Sequence, residues 1–246
     1  MNIEYSKGLD VFKSGLEELN ISLSEKQIEQ FITFYEYLVE KNKVMNLTGI
    51  TEFEDVIIKH FLDSLALVKA CDLSGDISII DIGTGAGFPG IPLKIAFPNI
   101  KITLLDSLNK RIKFLDEVIE MLGLENINTI HGRSEDFGVN VAYREQYDLC
   151  VSRAVANLAV LSEFCIPFVK VGGQFISYKA GDSSEEVKDG EFAVNILGGK
   201  IQKEIPFTVP NSDITRKLVV IDKVKNTGKK YPRKAGTPVK SPIRSL

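Results

Sequence analysis

A chain of 246 residues with 44% hydrophobic side chains suits one large domain, or one domain with an appended subdomain, and no apolar run approaches membrane-spanning length. Three scattered cysteines in apolar surroundings (Cys71, Cys150, Cys165), only two histidines (His60, His131) and no CxxC or HxxxH spacing argue against a disulfide framework or a metal site. Net charge is −3, and the N-terminus "MNIEYSKGLDVF" has none of the regions of a secretory signal, so a cytosolic protein, monomeric and without metal, is the expectation.

The charge is unevenly placed. From Lys223 to Leu246 there are eight Lys/Arg and no Asp/Glu, which leaves a body of 22 basic and 33 acidic side chains, net −11. An acidic body with a basic end is the asymmetry of a domain whose tail reaches a polyanion. A solvated terminus has the same composition, and charge alone does not separate the two.

The first part of the chain reads helical. In "ISLSEKQIEQFITFYEYLVEKN", Ser24 and Gln27 have capping-box spacing, and Ile28, Phe31, Ile32, Tyr35, Leu38 and Val39 form an apolar stripe. "TEFEDVIIKHFLDSLALVKAC" repeats the device, with Thr51 and Glu54 spaced to cap and Val56, Ile57, Phe61 and Leu65 on one face. Residues 1–75 are therefore expected to be a helical extension packed on a main domain.

After Gly75, short β-rich runs alternate with helical patterns: "ISIIDI" (77–82), "KITLLD" (101–106), "INTIH" (127–131), "YDLCVS" (147–152) and "GQFISY" (173–178). Such alternation implies right-handed βαβ crossovers and an α/β fold with a doubly wound, mostly parallel, Rossmann-like sheet. "KEIPFTVP" and "RKLVVIDKV" follow with a turn-rich "NSDIT" between them, which predicts a C-terminal antiparallel hairpin. The main domain is placed at 76–225 and a basic tail at 226–246. The glycines and prolines of that tail are too frequent for it to continue a helix or sheet.

In a doubly wound sheet, ligands bind beyond the carboxyl ends of the strands. Here the first strand runs into "DIGTGAGFPG". Gly83, Gly85 and Gly87 would allow a tight turn and a ligand lying against bare main chain, Phe88 would add an apolar surface, and the N–H groups opening "GIPLKIAF" would favour an anion. Residues 85–90 match the dinucleotide pattern GxGxxG, while the wider string is DxGxGxG with Asp81 at the strand end. That acid favours a ligand with an ammonium group, as in S-adenosylmethionine, over a pyrophosphate. Asp106, ending the second strand, is placed to accept from ribose hydroxyls in either case; a helix cap is the plain alternative.

The end of the fourth strand, "YDLCVSRAVA", carries neither an Asn/Asp-Pro-Pro-aromatic string for an exocyclic amine nor a cysteine nucleophile for a pyrimidine, and Cys150 reads as core. Guanine N7 needs neither, because it is an exposed lone pair with no proton to remove, so alignment is most of the task. Arg153 offers paired donors there. Donation to N7 would block the reacting atom, so the cofactor or guanine O6 is the preferred partner. A small NAD(P)-dependent oxidoreductase remains the competing reading, although no Tyr-xxx-Lys pair lies in the sheet domain. A non-catalytic RNA-binding module is a third.

Taken in order, "NKVMNLT" (42–48), "KHFLDSL" (59–65), "DIGTGAGFPGIPL" (81–93), "DSLNKRIKFL" (106–115), "GRSEDF" (132–137), "SRAVA" (152–156) and "KKYPRKAGTPVKSPI" (229–243) resemble the RsmG/GidB family, bacterial methyltransferases of guanine N7 in 16S ribosomal RNA. The resemblance implies S-adenosylmethionine contacts at Gly83, Phe88, Ser134, Glu135 and Arg153. It also draws notice to Asn46, His60, Asp63 and Ser64, with Asn46, His60 and Asp63 expected to fold over the cofactor mouth and line a guanine pocket. His60 and Asp63, three apart, would otherwise be a helix-surface pair. Small-subunit ribosomal RNA or its particle is the implied partner, with Lys229, Lys230, Arg233 and Lys234 on the RNA backbone.

Overall fold

Runs rich in Ile, Leu and Val, each closed by Gly, Asp or a turn, make the strands of the computed structural model, which describes residues 3–153 and 155–244. Ala154 of the "SRA" triplet lies outside the described residues, as do the outermost residues of the N-terminal extension and the tail. Helices α1 (Ile3–Glu18) and α2 (Glu25–Met45) come first, followed by a broken segment: α3 (Phe53–Val56), a π-helical turn (Ile57–Leu62), α4 (Asp63–Leu65) and a 3₁₀ turn (Ala66–Lys69). The alternating part is β1 (Ser78–Ile82), α5 (Gly90–Ala96), β2 (Lys101–Asp106), α6 (Asn109–Leu122), β3 (Ile127–His131), α7 (Ser134–Phe137), β4 (Tyr147–Arg153), α8 (Leu158–Cys165) and β5 (Val169–Ala180). Helix α9 (Ser184–Ile196), strands β6 (Gly199–Thr208) and β7 (Thr215–Lys223), and a short α10 (Thr237–Lys240) complete it.

The strands form one seven-stranded sheet in the order β3-β2-β1-β4-β5-β7-β6. The first five are parallel, with Ile80 opposite Thr103 on one side and Cys150 on the other. The predicted hairpin is present, and β7 also pairs antiparallel with β5, placing Val220 against Ile176. Strand order reverses between β1 and β4, so the crevice beyond their carboxyl ends is where this architecture seats a ligand.

Alternation along the strands explains how the sheet is covered on both faces. Ile79, Leu104 and Val151 join Phe12, Phe31, Phe34 and Phe61 of the N-terminal helices, whereas Ile80, Ile82 and Leu105 pack with Leu158, Leu161 and Val187 on the opposite face. The N-terminal helices thus share a core with the sheet, the Phe31 ring lying 4.9 Å from both Phe12 and Phe61.

The first capping box forms: Gln27 N–H donates to Ser24 Oγ at 3.3 Å, and Ser24 N–H donates to Gln27 Oε1 at 2.8 Å. The second does not. Helix α3 starts after Glu52 with no side-chain cap, and Thr51 instead offers its carbonyl to the Tyr35 hydroxyl at 3.0 Å. The segment then widens into the π-helical turn around His60 rather than running as one amphipathic helix, a distortion that often accompanies functional sites.

Candidate active site

The loop joining β1 to α5 is built on Asp81. Its carboxylate is fully buried; Oδ2 accepts from Thr84 Oγ1 at 2.7 Å and from Gly90 N–H at 2.9 Å, while Oδ1 has no hydrogen-bond partner. Burial pushes its pKa up to about 6 against the pull of those two donors. This corrects the expectation of an anion site where α5 begins, because the Gly90 N–H is spent on Asp81.

The glycines divide by task. Gly83 (φ +70°) and Gly85 (φ +63°) sit in the left-handed region. A Cβ on Gly83 would stand 2.6 Å from Val155 Cγ2, whereas the space around Gly85 is open. Gly87 is turned into the core, where a Cβ would meet Ile91 at 2.5 Å and Leu115 at 3.0 Å. With φ +93° it makes the expected turn, its bareness also serves helix packing, and it lines neither cleft.

Beyond β1 and β2 opens a cleft of about 290 Å³ lined by Gly83, Asp106, Arg111, Ser134, Glu135 and Val155, among others. Asp106 ties it together: Oδ2 accepts from Gly85 N–H at 2.9 Å and from Arg111 Nη1 at 3.2 Å, and Oδ1 accepts from Leu108 N–H at 2.9 Å. Asp106 is not the N-cap residue of α6, which is Leu108, but by accepting the Leu108 N–H it does cap the start of that helix, so the plain reading holds beside its place in the cleft. Glu135, nearly buried, accepts from Ser134 Oγ at 3.3 Å and from Gly236 N–H of the tail at 2.8 Å.

A second cleft, about 670 Å³, is lined by Ile50, Lys59, His60, Asp63, Arg153 and Arg216 and shares Val155 with the first. Arg153 Nη1 donates to Asp63 Oδ2 at 2.9 Å and to the Lys59 carbonyl at 3.3 Å. Its guanidinium carbon stands 5.2 Å from the centre of the Phe88 ring, on which the His60 imidazole stacks at 4.4 Å. Phe88 is thus a buried platform under His60 and Arg153, and neither Phe88 nor Arg153 lines the smaller cleft, where a cofactor contact was expected of each. Burial, reinforced by Arg153, drives the His60 pKa down to about 3, so the ring is neutral, with Nε2 2.8 Å from Thr48 Oγ1. The alternative of a surface pair between His60 and Asp63 fails, because Asp63 is buried and its partner is Arg153. Ser64 is buried, its hydroxyl donating to the His60 carbonyl at 2.5 Å.

Asn46 stands apart from both clefts: it is exposed and caps α2 in the left-handed conformation (φ 50°). In the tail, Lys229, Lys230 and Lys234 are exposed, but Arg233 is not free for RNA. It donates through Nε and Nη2 to Glu163, whose side chain is 0% exposed, with the shortest contact at 2.6 Å. A buried carboxylate demands a partner, and Arg233 supplies it. Arg111, Thr84 and Val155 were missed from sequence. Only for Arg111, five residues after Asp106 in a basic first helical turn, did the sequence hold a signal. Among the described residues no group of three or more His, Cys, Asp or Glu is placed to hold a metal ion, and no helix is long and apolar enough to cross a membrane.

The fold is shared with solved structures of low sequence identity. It is similar to TrmN of Thermus thermophilus (TM-score 0.52, 13% identity, 68% of this chain and 53% of that one). It is also similar to the fibrillarin pre-rRNA processing protein of Methanococcus jannaschii (TM-score 0.51, 19% identity, 65% and 74%). At the level of sequence the likeness is far closer. The chain is 52% identical over 234 residues to the ribosomal RNA small subunit methyltransferase G of Alkaliphilus metalliredigens, covering 95% of this chain and 98% of the relative. With the protein of the same name from Lactococcus lactis subsp. cremoris it shares 53% over 236 residues, covering 96% and 99%. The family model described as GidB, rRNA small subunit methyltransferase G, matches residues 27–218, from α2 through both clefts to β7. The oxidoreductase reading falls with that match: the glycine loop, the buried acid beneath it and the paired clefts are those of a chain that belongs to the rRNA small subunit methyltransferase G family.

Proposed function

We propose that this protein transfers a methyl group from S-adenosylmethionine to N7 of a guanine in small-subunit ribosomal RNA. The observation that carries the reading is the shared wall: Val155 lines both clefts, so a donor seated on the glycine loop and a base entering past His60 meet across one residue.

The residues of the smaller cleft fit the cofactor. Gly83 lines that cleft with bare backbone, and Asp81, buried beneath the same loop and outside the cleft's lining, keeps one carboxylate oxygen without a partner whose charge favours an ammonium group above it. When bound, the cofactor supplies a methyl group made electrophilic by a sulfonium centre. Asp106 keeps one acceptor site, on Oδ1, for a ribose hydroxyl, and Ser134 and Glu135 are assigned to the adenine edge.

The larger cleft acts by position. Neutral guanine N7 has no proton to give up, so no base is needed and orientation is the main contribution. Arg153 is committed to Asp63, which leaves N7 unblocked, while the neutral His60 ring and Phe88 hold the wall against which the purine lies. Lys229, Lys230 and Lys234 meet the RNA backbone, and Asn46 adds a contact from the exposed end of α2. In this reading residues 1–75 supply one wall of the base cleft, 76–225 its other wall and the cofactor cleft, and 226–246 the basic tail. Both clefts come from one chain, so we read the enzyme as a monomer.

Incubation of the purified protein with small-subunit particles and methyl-labelled cofactor, followed by mapping of the modified base, tests this. Label in a single 7-methylguanosine is expected. Label on another atom, or none from a protein that binds the cofactor, overturns it.

A further inference from the structure

Residues 224–244, which follow β7, are neither loose nor merely basic. Arg144 donates to the carbonyls of Thr227 at 2.6 Å and of Tyr231 and Gly138 at 2.8 Å, fastening the tail to the end of α7. Pro232 lies so close to Gly138 that a Cβ there would stand 2.9 Å from its ring. Arg233 closes on Glu163 with its backbone N–H (2.7 Å) as well as its guanidinium, and the next residue of α8, Phe164, lines the cofactor cleft. Three residues on, Gly236 turns with φ +82° and aims its N–H at Glu135 Oε1 at 2.8 Å. Pro238 and Ile243 are buried beyond it.

From this geometry we infer that the tail completes the cofactor site: the Arg233–Glu163 clamp seats the Gly236 N–H on Glu135, and Arg233 and Gly236 are positioning residues for S-adenosylmethionine rather than RNA contacts. The inference rests on the assignment of Glu135 to the cofactor. The physical basis is that a carboxylate held by fixed donors keeps one orientation, whereas a released one must be ordered by the ligand at the expense of affinity. The lysines of the same strap face solvent, so the segment that meets RNA also sets the cofactor's partner.

The test is calorimetric titration of the full-length protein with S-adenosylmethionine, together with salt-dependent binding of a small-subunit RNA fragment. Arg233→Ala is expected to weaken the cofactor on the order of ten-fold, the scale of one charge-assisted hydrogen bond, with RNA affinity and salt slope unchanged. KM for the cofactor should rise while kcat at saturation is kept. In a Glu135→Ala background the Arg233→Ala effect should vanish; general loosening of the fold would instead add to it. Should Arg233→Ala not fold, Gly236→Ala serves, because a Cβ there meets nothing within 4 Å and strains only the φ that aims the N–H. Wild-type protein that binds no S-adenosylmethionine overturns the proposed function. Wild type that binds, with the Arg233 and Gly236 variants binding equally well, overturns this inference alone; Glu135→Ala without effect overturns it together with the assignment of Glu135 to the adenine edge, leaving the methyl transfer itself untouched.

Discussion

Arg153, at the carboxyl end of β4, and Asp63, at the start of α4, form a buried ion pair at 2.9 Å that joins the sheet to the N-terminal helices. Their side chains are 13% and 3% exposed, so neither charge has much water to fall back on. Arg153→Ala leaves the Asp63 carboxylate with only the 3.5 Å contact of Arg216, and a loss of about 3 kcal/mol is expected from breaking a buried pair on one side. Asp63→Asn keeps an acceptor and should cost less, while displacing the guanidinium and lowering methyl transfer by roughly two orders of magnitude through misalignment. Urea unfolding and single-turnover transfer separate the two effects. Equal stability of Arg153→Ala and wild type would mean the pair carries little of the fold.

Asp81 gives a pH signature. Its pKa in the fold is raised to about 6 from an ordinary 3.8, so the folded chain takes up a proton between those values. The cost of keeping the carboxylate ionised is therefore fully present above pH 6 and is relieved on acidification. An ammonium-bearing ligand reverses this preference by favouring the charged form. Affinity for S-adenosylmethionine should fall as pH drops through 6, and Asp81→Asn, which keeps acceptors for Thr84 and Gly90, should bind weakly and without that slope. Titrations from pH 5 to 8 decide; a flat wild-type profile would detach Asp81 from the ligand.

Much of this was legible in the sequence because it is local. Strand alternation, the glycine string after β1 and the Ser24–Gln27 box each declare themselves within a few residues. What stayed hidden depends on distant partners. Arg233 reads as one more basic residue until Glu163, 70 positions upstream, is folded against it. Glu135 looks like a solvated turn residue, noticed only through family resemblance, because its donor is Gly236. The π-helical turn has no local signature either: its residues repeat at helical spacing, and only packing against Phe31, Phe34 and Phe88 shows where the widened turn delivers His60. Asn46 shows the converse, a polar residue that attracts a functional reading but has a backbone reason to be asparagine.

His60 should be silent in the rate profile. Its pKa falls from 6.5 to about 3 on folding, so the unfolded chain binds the proton first. The stability that the neutral ring carries is complete above pH 6.5 and is lost progressively as pH falls toward 3. His60→Gln should flatten that limb of the stability curve. Methyl transfer by the wild type should show no ionisation near 6.5 from this residue. A step in kcat at that pH which disappears in His60→Gln would show instead that the ring exchanges a proton during turnover.

The exposed lysines of the tail should act additively on RNA. Lys229, Lys230 and Lys234 have their charges in solvent, and only Lys230 has a close aromatic neighbour, the Tyr231 ring at 5.2 Å. Each phosphate neutralised releases counterions, and the slope of log affinity against log salt changes by roughly 0.7 per contact on a single strand. The triple variant Lys229→Ala, Lys230→Ala, Lys234→Ala should therefore flatten the slope by about 2, and weaken binding most at low salt. Because none of these side chains supports the Arg233–Glu163 clamp, cofactor affinity should be unaffected, so the defect must appear as a raised KM for RNA. If the triple variant keeps the wild-type slope, the backbone is met elsewhere, and Lys59 and Arg216, the half-buried cations of the larger cleft that are not committed to Asp63 or Glu186 as Arg153 and Lys179 are at 2.9 and 2.6 Å, become the groups to remove next.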